Sequence, residues 1–298
     1  MQPVFKVLSV IALVGAMLGA SNRASAEWVE WVFAPGIDYR YEDNLNLSSF
    51  DADERSDDAM DINVHAGRYL QIGERTRLRL TAGFEAGFFD TYKLLNNVAF
   101  SANAVVTHKL GLGKNAAWIS PYVVLGYREV RDDIRSGMFM DLGITTGKRL
   151  TDRFDMTASL AYRESEGKDG VQIVPGIGAD VFDQDRWLVS VQGNFLITNR
   201  LILQGDLSHY EGDFVSACTK GNVGTVLAVE DVRAITLDDV FSGCVYRLNG
   251  SGNSGALSLS YATGRHSSIN ASVTYLKGKG DELEYDNTVL QVGFLYNY

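Results

Sequence analysis

The segment DNTVLQVGFLYNY, Asp286–Tyr298, decides the fold. Leu290, Val292, Phe294, Tyr296 and Tyr298 fall on one side of an extended chain, and Asn287, Gln291, Gly293 and Asn297 fall on the other. Alternation with a period of two is the mark of a strand whose faces meet different surroundings. Val289 and Leu295 are exceptions, and the segment ends on an aromatic residue.

The same alternation recurs in eleven further stretches. They are Val29–Tyr41, Met60–Leu70, Arg77–Phe88, Val98–Lys109, Trp118–Arg128, Met138–Arg149, Phe154–Arg163, Trp187–Leu196, Leu201–Tyr210, Ala256–Ala262 and Ile269–Lys277. In Phe154–Arg163 the faces separate cleanly: Phe154, Met156, Ala158, Leu160 and Tyr162 oppose Asp155, Thr157, Ser159 and Arg163.

Connections between these stretches alternate in length. GERT (73–76), GLGKNAA (111–117), LTD (150–152), ITNR (197–200) and GRHSS (264–268) are tight. Glu42–Ala59, Glu164–Arg186 and Glu211–Gly255 are long, with shorter members near 89–97, 129–137 and 278–285. An even number of amphipathic strands of about ten residues, turning tightly at one end and loosely at the other, predicts a closed all-β transmembrane barrel. Closure removes sheet edges, which an apolar solvent cannot hydrogen-bond. Twelve antiparallel strands are expected, with short periplasmic turns, long extracellular loops and both termini periplasmic. Fourteen would result if VLAVEDVRAITL (226–237) hid another hairpin. Trp31, Trp118, Trp187, Tyr39, Tyr127, Tyr162 and Phe195, near strand ends, are expected on the apolar face as an interfacial girdle.

The N-terminus predicts export. Lys6 precedes the apolar run VLSVIALVGAMLGA (7–20), and Ala24-Ser25-Ala26 supplies a small-residue cleavage site. Residues 1–26 are therefore expected to be a secretory signal peptide, with the barrel domain spanning 27–298. Cleavage removes Lys6 and Arg23 and no acid, taking the formal net charge from −10 to −12. So acidic an exported chain lacks the basic footprint that nucleic acid requires. Cys218 and Cys244 are expected to form a disulfide in an oxidising compartment.

Over essentially its whole mature length the chain resembles the bacterial outer-membrane β-barrels, porin-like in form. The alternation ending in Phe294, Tyr296 and Tyr298 is similar to the C-terminal signal read by the barrel-assembly machinery of that superfamily. YRYEDNLNL, Tyr39–Leu47, resembles a box in barrels found with exopolysaccharide systems. The resemblance implies residence in the outer membrane, among its lipid and lipopolysaccharide.

The inward face carries Glu30, Asp38, Arg40, Asp61, Arg77, Arg79, Glu85, Lys109, Arg128, Asp141, Arg149, Asp155, Arg163 and Asp206, seven of each sign. Arg77, Arg79, Lys109, Arg128, Arg149 and Arg163 come from the third to seventh strands, so they share one wall. They are read either as a basic track for an anionic solute or as partners in arginine–carboxylate pairs. A lumen of twelve strands lies between the filled barrel of eight and the aqueous channel of sixteen. Function is therefore expected to be a passive or mildly selective pore for small hydrophilic or anionic solutes. The alternative is a structural, envelope-interaction protein whose loops bind a surface partner or exopolysaccharide.

The acidic loop 42–61 brings Asp51, Asp53, Asp57 and Asp58 forward as candidate ligands for loosely bound Ca²⁺ or Mg²⁺. It departs from the EF-hand pattern at Arg55 and lacks the glycine. No other cofactor is expected. Catalysis is not expected either: Ser208 and His209 are adjacent and so point to opposite faces, and neither G-x-S-x-G nor H-E-x-x-H occurs.

Overall fold

A computed structural model describes residues 27–229, 232–280 and 283–298. The expected signal peptide, residues 1–26, lies outside the described residues. Thirteen strands are present: β1 (Glu27–Glu42), β2 (Asp57–Gly73), β3 (Thr76–Phe89), β4 (Asn97–Lys109), β5 (Trp118–Val130), β6 (Gly137–Arg149), β7 (Phe154–Glu166), β8 (Gln184–Thr198), β9 (Leu201–Cys218), β10 (Val232–Asp238), β11 (Gly243–Ala262), β12 (Ser267–Gly280) and β13 (Leu283–Tyr296). All but β10 are staves of one barrel. Each pairs antiparallel with its neighbour, β9 pairs directly with β11, and β13 closes on β1 with Ile37 opposite Phe294. The barrel is closed, antiparallel and twelve-stranded.

Alternation along the staves sets two surfaces. Phe33, Ile37, Phe100, Leu125, Leu160, Val189, Leu257 and Val292 are exposed on the outside, a continuous apolar surface. Among the described residues no helix is long and apolar enough to cross a membrane. Trp118 departs from the expected girdle. It points inward, its ring against the space beside Gly147, because the inward row of β5 is Trp118, Ser120, Tyr122 and Val124.

The largest buried cluster lies beyond the barrel wall, at the end with the long loops. β9 and β11 run far past their neighbours, pairing from Tyr261–Leu201 to Cys244–Cys218. On β9 the inward positions change character along the strand: Gln204, Asp206 and Ser208 give way to Tyr210, Phe214, Ser216 and Cys218. These pack with Ile235, Tyr246, Leu248, Leu283 and Tyr285 under Leu47, Phe50, Ile173, Val174, Val223 and Leu227 from the loops. The opposite face of the overhang is covered by Val181 and Phe182, packed with Val215, Ala234 and Val245. Both faces of the overhang are thus buried, and the loops form a cap with its own core.

β10 is the strand hidden in VLAVEDVRAITL. It pairs with the overhang of β11, Ile235 opposite Tyr246, and leaves the count of staves at twelve. Its other edge is shielded by loop 167–183: Ile235 N donates to Gly178 O at 2.9 Å, and Thr236 Oγ1 donates to Val171 O at 2.9 Å. The Cys218–Cys244 disulfide spans directly opposed residues, with Cα atoms 5.1 Å apart.

Residues 211–218 and 243–255, expected as loop, are strand. NGSGNSG (249–255) hides its strand because its inward positions are emptied for neighbours. A Cβ on Gly252 would lie 2.4 Å from the Tyr210 ring, and one on Gly250 would lie 2.6 Å from Phe214. The apolar mass that would have revealed β11 is supplied by β9.

Candidate functional site: the lumen

The candidate site is the barrel interior, which holds a chain of cavities along one wall. The first, about 1060 Å³, lies in the half nearer the tight turns and is bordered by Arg77, Arg79, Lys109, Trp118, Tyr122 and His65. The second, about 530 Å³, is bordered by His65, Arg40, Asp61, Glu85, Phe89, Asn97 and Arg128. The third, about 330 Å³, opens at the loop end between Phe89, Asn97, Arg128, Phe139 and Leu45. His65 is common to the first two, and Phe89, Asn97 and Arg128 to the last two. The cavities therefore form a continuous series beside β1–β7.

Inward positions on these staves alternate with lipid-facing ones, so the charged side chains reach the lumen without disturbing the outer surface. The expected basic residues do not behave alike. Arg163 Nε donates to Asp141 Oδ2 at 2.8 Å, and the Tyr122 hydroxyl donates to the same carboxylate at 3.2 Å. Arg77 Nε donates to the neutral Gln71 Oε1 at 2.6 Å. Arg79 has its Nε buried with no hydrogen-bond partner. The Arg128 guanidinium lies over an aromatic ring, 5.6 Å from the centroid of Phe139. Arg149 lies opposite Asp155 at the exposed end of β6, outside the cavities.

Among the described residues, Arg77, Arg79, Lys109 and Arg128 make no salt bridge. Of the acids expected in the lumen, Asp61 pairs with Arg40 at 3.0 Å, and Arg40 also contacts Glu42. Asp38 accepts from Asn63 at 3.2 Å, and Asp155 accepts from Asn194 at 2.8 Å. Glu30 and Glu85 border the first and second cavities. The opposite wall is richer in uncharged polar groups: a smaller cavity of about 180 Å³ is bordered by Gln204, Ser258, Ser260, Asn270, Ser272 and Gln291, with Asp38 at its edge.

Two lumen residues were missed from the sequence. Glu42 and Arg186 both face inward but sit at stave ends that the alternation did not reach. Arg186 lies 6.0 Å from the Tyr210 ring, beneath the cap. The inward row of β8 (Leu188, Ser190, Gln192, Asn194), followed two residues outward, would have found it.

The cap rests on the acidic loop. Asp53 Oδ2 accepts from Thr219 N at 3.0 Å and from Asn222 Nδ2 at 2.7 Å, and Asp57 accepts from Tyr92 N at 2.9 Å and Thr91 N at 3.0 Å. Burial opposes ionisation of Asp53, but the donors from Thr219 and Asn222 and the charge of Arg55 outweigh it and hold the carboxyl below its ordinary range. Asp51, Asp53, Asp57 and Asp58 are not brought together. Among the described residues no group of three or more His, Cys, Asp or Glu side chains is arranged to hold a metal.

The Tyr39–Leu47 box is the footing of this cap. Asn44 Nδ2 donates to Asp286 O at 2.8 Å and to Ser48 O at 3.0 Å, Ala217 N donates to Asn46 O at 3.0 Å, and Ser216 Oγ donates to Leu47 O at 2.7 Å. It ties β1 to β13 on one side and to the β9 overhang on the other.

Ser208 and His209 are separated as expected. Ser208 Oγ is 2.6 Å from Ser254 Oγ inside, and His209 Nδ1 is 3.0 Å from Asn253 Oδ1 outside. At the other end, Phe294 is lipid-exposed, Tyr298 N donates to Phe33 O at 2.9 Å, and Tyr298 borders the mouth of the first cavity, with Tyr296 and Tyr298 ring centroids 6.0 and 5.9 Å from His266.

Comparison with solved structures places this geometry. An outer membrane channel from Pseudomonas putida F1 superposes with a TM-score of 0.60 over 93% of this chain and 97% of its own, at 8% identity. This is the outer-membrane β-barrel fold. The NanC porin superposes with a TM-score of 0.50 over 88% of this barrel and 98% of its own chain, at 10% identity. No protein-family model and no curated protein sequence matches the chain. The barrel therefore shares its architecture with these channels.

Proposed function

We propose that the barrel is a passive, mildly selective pore that carries small hydrophilic anions along the β1–β7 wall. One observation carries the reading: the three linked cavities are bordered by Arg77, Arg79, Lys109 and Arg128, none of which makes a salt bridge among the described residues. A guanidinium without a carboxylate partner keeps its attraction for a passing anion, whereas a paired one, like Arg163 with Asp141, has spent it. The fold shared with solved channels supports a pore. The serine, asparagine and glutamine side chains of the opposite wall would offer hydrogen bonds to a hydroxylated solute.

Conductance of the refolded barrel in a planar bilayer tests the reading. Discrete channels whose reversal potential favours anions are expected, and the absence of ion current in any state would overturn it.

A second reading rests on the cap, whose disulfide and buried core make a rigid external surface suited to a partner or a polysaccharide. Binding of the intact barrel to exopolysaccharide, unaffected by substitution of the lumen arginines, would favour it.

A further inference from the structure

Arg68 is a charged residue on the wrong side of the wall. β2 places Ile62, Val64, Ala66, Arg68 and Leu70 on the lipid-facing side, and register sets Arg68 opposite Trp31 of β1 and Leu80 of β3. Its guanidinium carbon lies 4.5 Å from the Trp31 ring and 5.4 Å from the Trp28 ring. Both indoles are exposed outward, at 62% and 46%. Arg68 Nε is buried and has no hydrogen-bond partner, and among the described residues no carboxylate pairs with the side chain.

An arginine facing lipid is costly in the apolar belt and tolerable at the headgroup level. Arg68 is close to the tight β2–β3 turn, at the periplasmic end of the belt, with both tryptophans beside it as interfacial residues. Two aromatic faces hold the cation flat by cation–π attraction. With Nε enclosed, the terminal Nη groups remain as the outward donors, in the planar fork that suits a phosphate oxygen pair. Leu70, Leu78 and Leu80 continue the same face and supply apolar surface for acyl chains. We propose that Arg68, Trp28 and Trp31 bind the phosphodiester of a phospholipid in the periplasmic leaflet.

Native mass spectrometry of the refolded full-length barrel with phosphatidylglycerol tests this. Wild type is expected to retain a bound lipid that Arg68→Gln loses by about tenfold in apparent affinity, as for loss of a charge-assisted hydrogen-bonded contact. Trp31→Leu should weaken it by roughly fivefold, the scale of one cation–π contact. Lys148→Gln, which removes another outward cation at the same end, should leave it unchanged. Arg68→Lys keeps the charge without the fork and should fall between, which preserves the test if the glutamine variant fails to fold. Equal retention by wild type and Arg68→Gln would overturn the proposal, as would an equal loss in Lys148→Gln. Displacement of the lipid by inorganic phosphate at matching concentration would assign the site to a free anion instead. A dimer that dissociates in Arg68→Gln without loss of lipid would assign the arginine to contact with a second barrel.

Discussion

Arg135 and Asp238 form an ion pair at 2.8 Å in which the aspartate side chain is wholly buried and the arginine nearly so. The pair joins the short loop 131–136 to the end of β10, and Arg135 also contacts Asp132 and lies 4.8 Å from the Phe182 ring. Burial holds the arginine pKa below its ordinary value despite the attraction of Asp238. Removing Asp238 leaves the buried guanidinium with Asp132 as its remaining carboxylate partner and takes the acceptor from the Val240 and Phe241 amides. Asp238→Ala is expected to destabilise the cap by about 3 kcal/mol, read as faster limited proteolysis within 219–242. The barrel itself should keep its folded, heat-modifiable migration on gels.

Exchange of Arg77, Arg79, Lys109 and Arg128 for Ser should roughly halve the anion-to-cation permeability ratio, or lower it further, measured from reversal potentials in a salt gradient. The double change Arg163→Ser/Asp141→Asn should move it little, because it removes a pair that is already neutral. An unchanged ratio in the fourfold variant would make those side chains structural.

The cap should also respond to acid. Asp53 has its carboxyl held below its unfolded-state range, whose reference value is 3.8. Its contribution to stability is therefore fully present above that value and is lost as pH falls through the lowered folded value. Proteolytic susceptibility of the 43–56 and 219–222 contacts should rise below about pH 4. In Asp53→Asn this part of the acid dependence should disappear, and the cap should already be looser at neutral pH.

Reduction of Cys218–Cys244 removes a cross-link between two residues 26 apart in sequence. The chain-entropy account assigns such a loop about 3 kcal/mol. Because both sulfur positions lie within the buried cap cluster, Cys218→Ser/Cys244→Ser should expose the cap to protease in the same region as Asp238→Ala.

Gly252→Val should impair assembly of the barrel itself. Its side chain would occupy the place of the Tyr210 ring, whose hydroxyl bonds that of Tyr285 across the top of the lumen. The measurement is the yield of folded barrel, and Gly255→Val, at an outward position with only Leu207 nearby, is the tolerant control.

How much of this was legible depended on where lipid touches the chain. Staves such as Phe154–Arg163 announce themselves because one face meets hydrocarbon and the other meets the lumen. The upper half of β11 meets neither. Its outward residues are covered by Val181 and Phe182, and its inward glycines are filled by Tyr210 and Phe214, so the two-sided contrast vanishes. Trp118 was misplaced for a related reason, since an aromatic at a strand end reads as girdle whether it faces lipid or an open cavity. The wall bearing Arg77, Arg79, Lys109 and Arg128 could be read from strand order. Which arginines keep a carboxylate depends on register, as the direct opposition of Asp141 and Arg163 illustrates. The Tyr39–Leu47 box stood out by composition, while its task of footing the cap emerged from partners far along the chain, Ser216 and Ala217 on the overhang and Asp286 and Asn287 beside it.

The lopsided extension of β9 and β11 divides labour around the circumference. The staves from β8 onward bear the roof, and those before it border the passage. Changes to the roof's outer surface, by insertion, substitution or contact with a neighbour, can therefore accumulate without retuning what the other half of the ring admits.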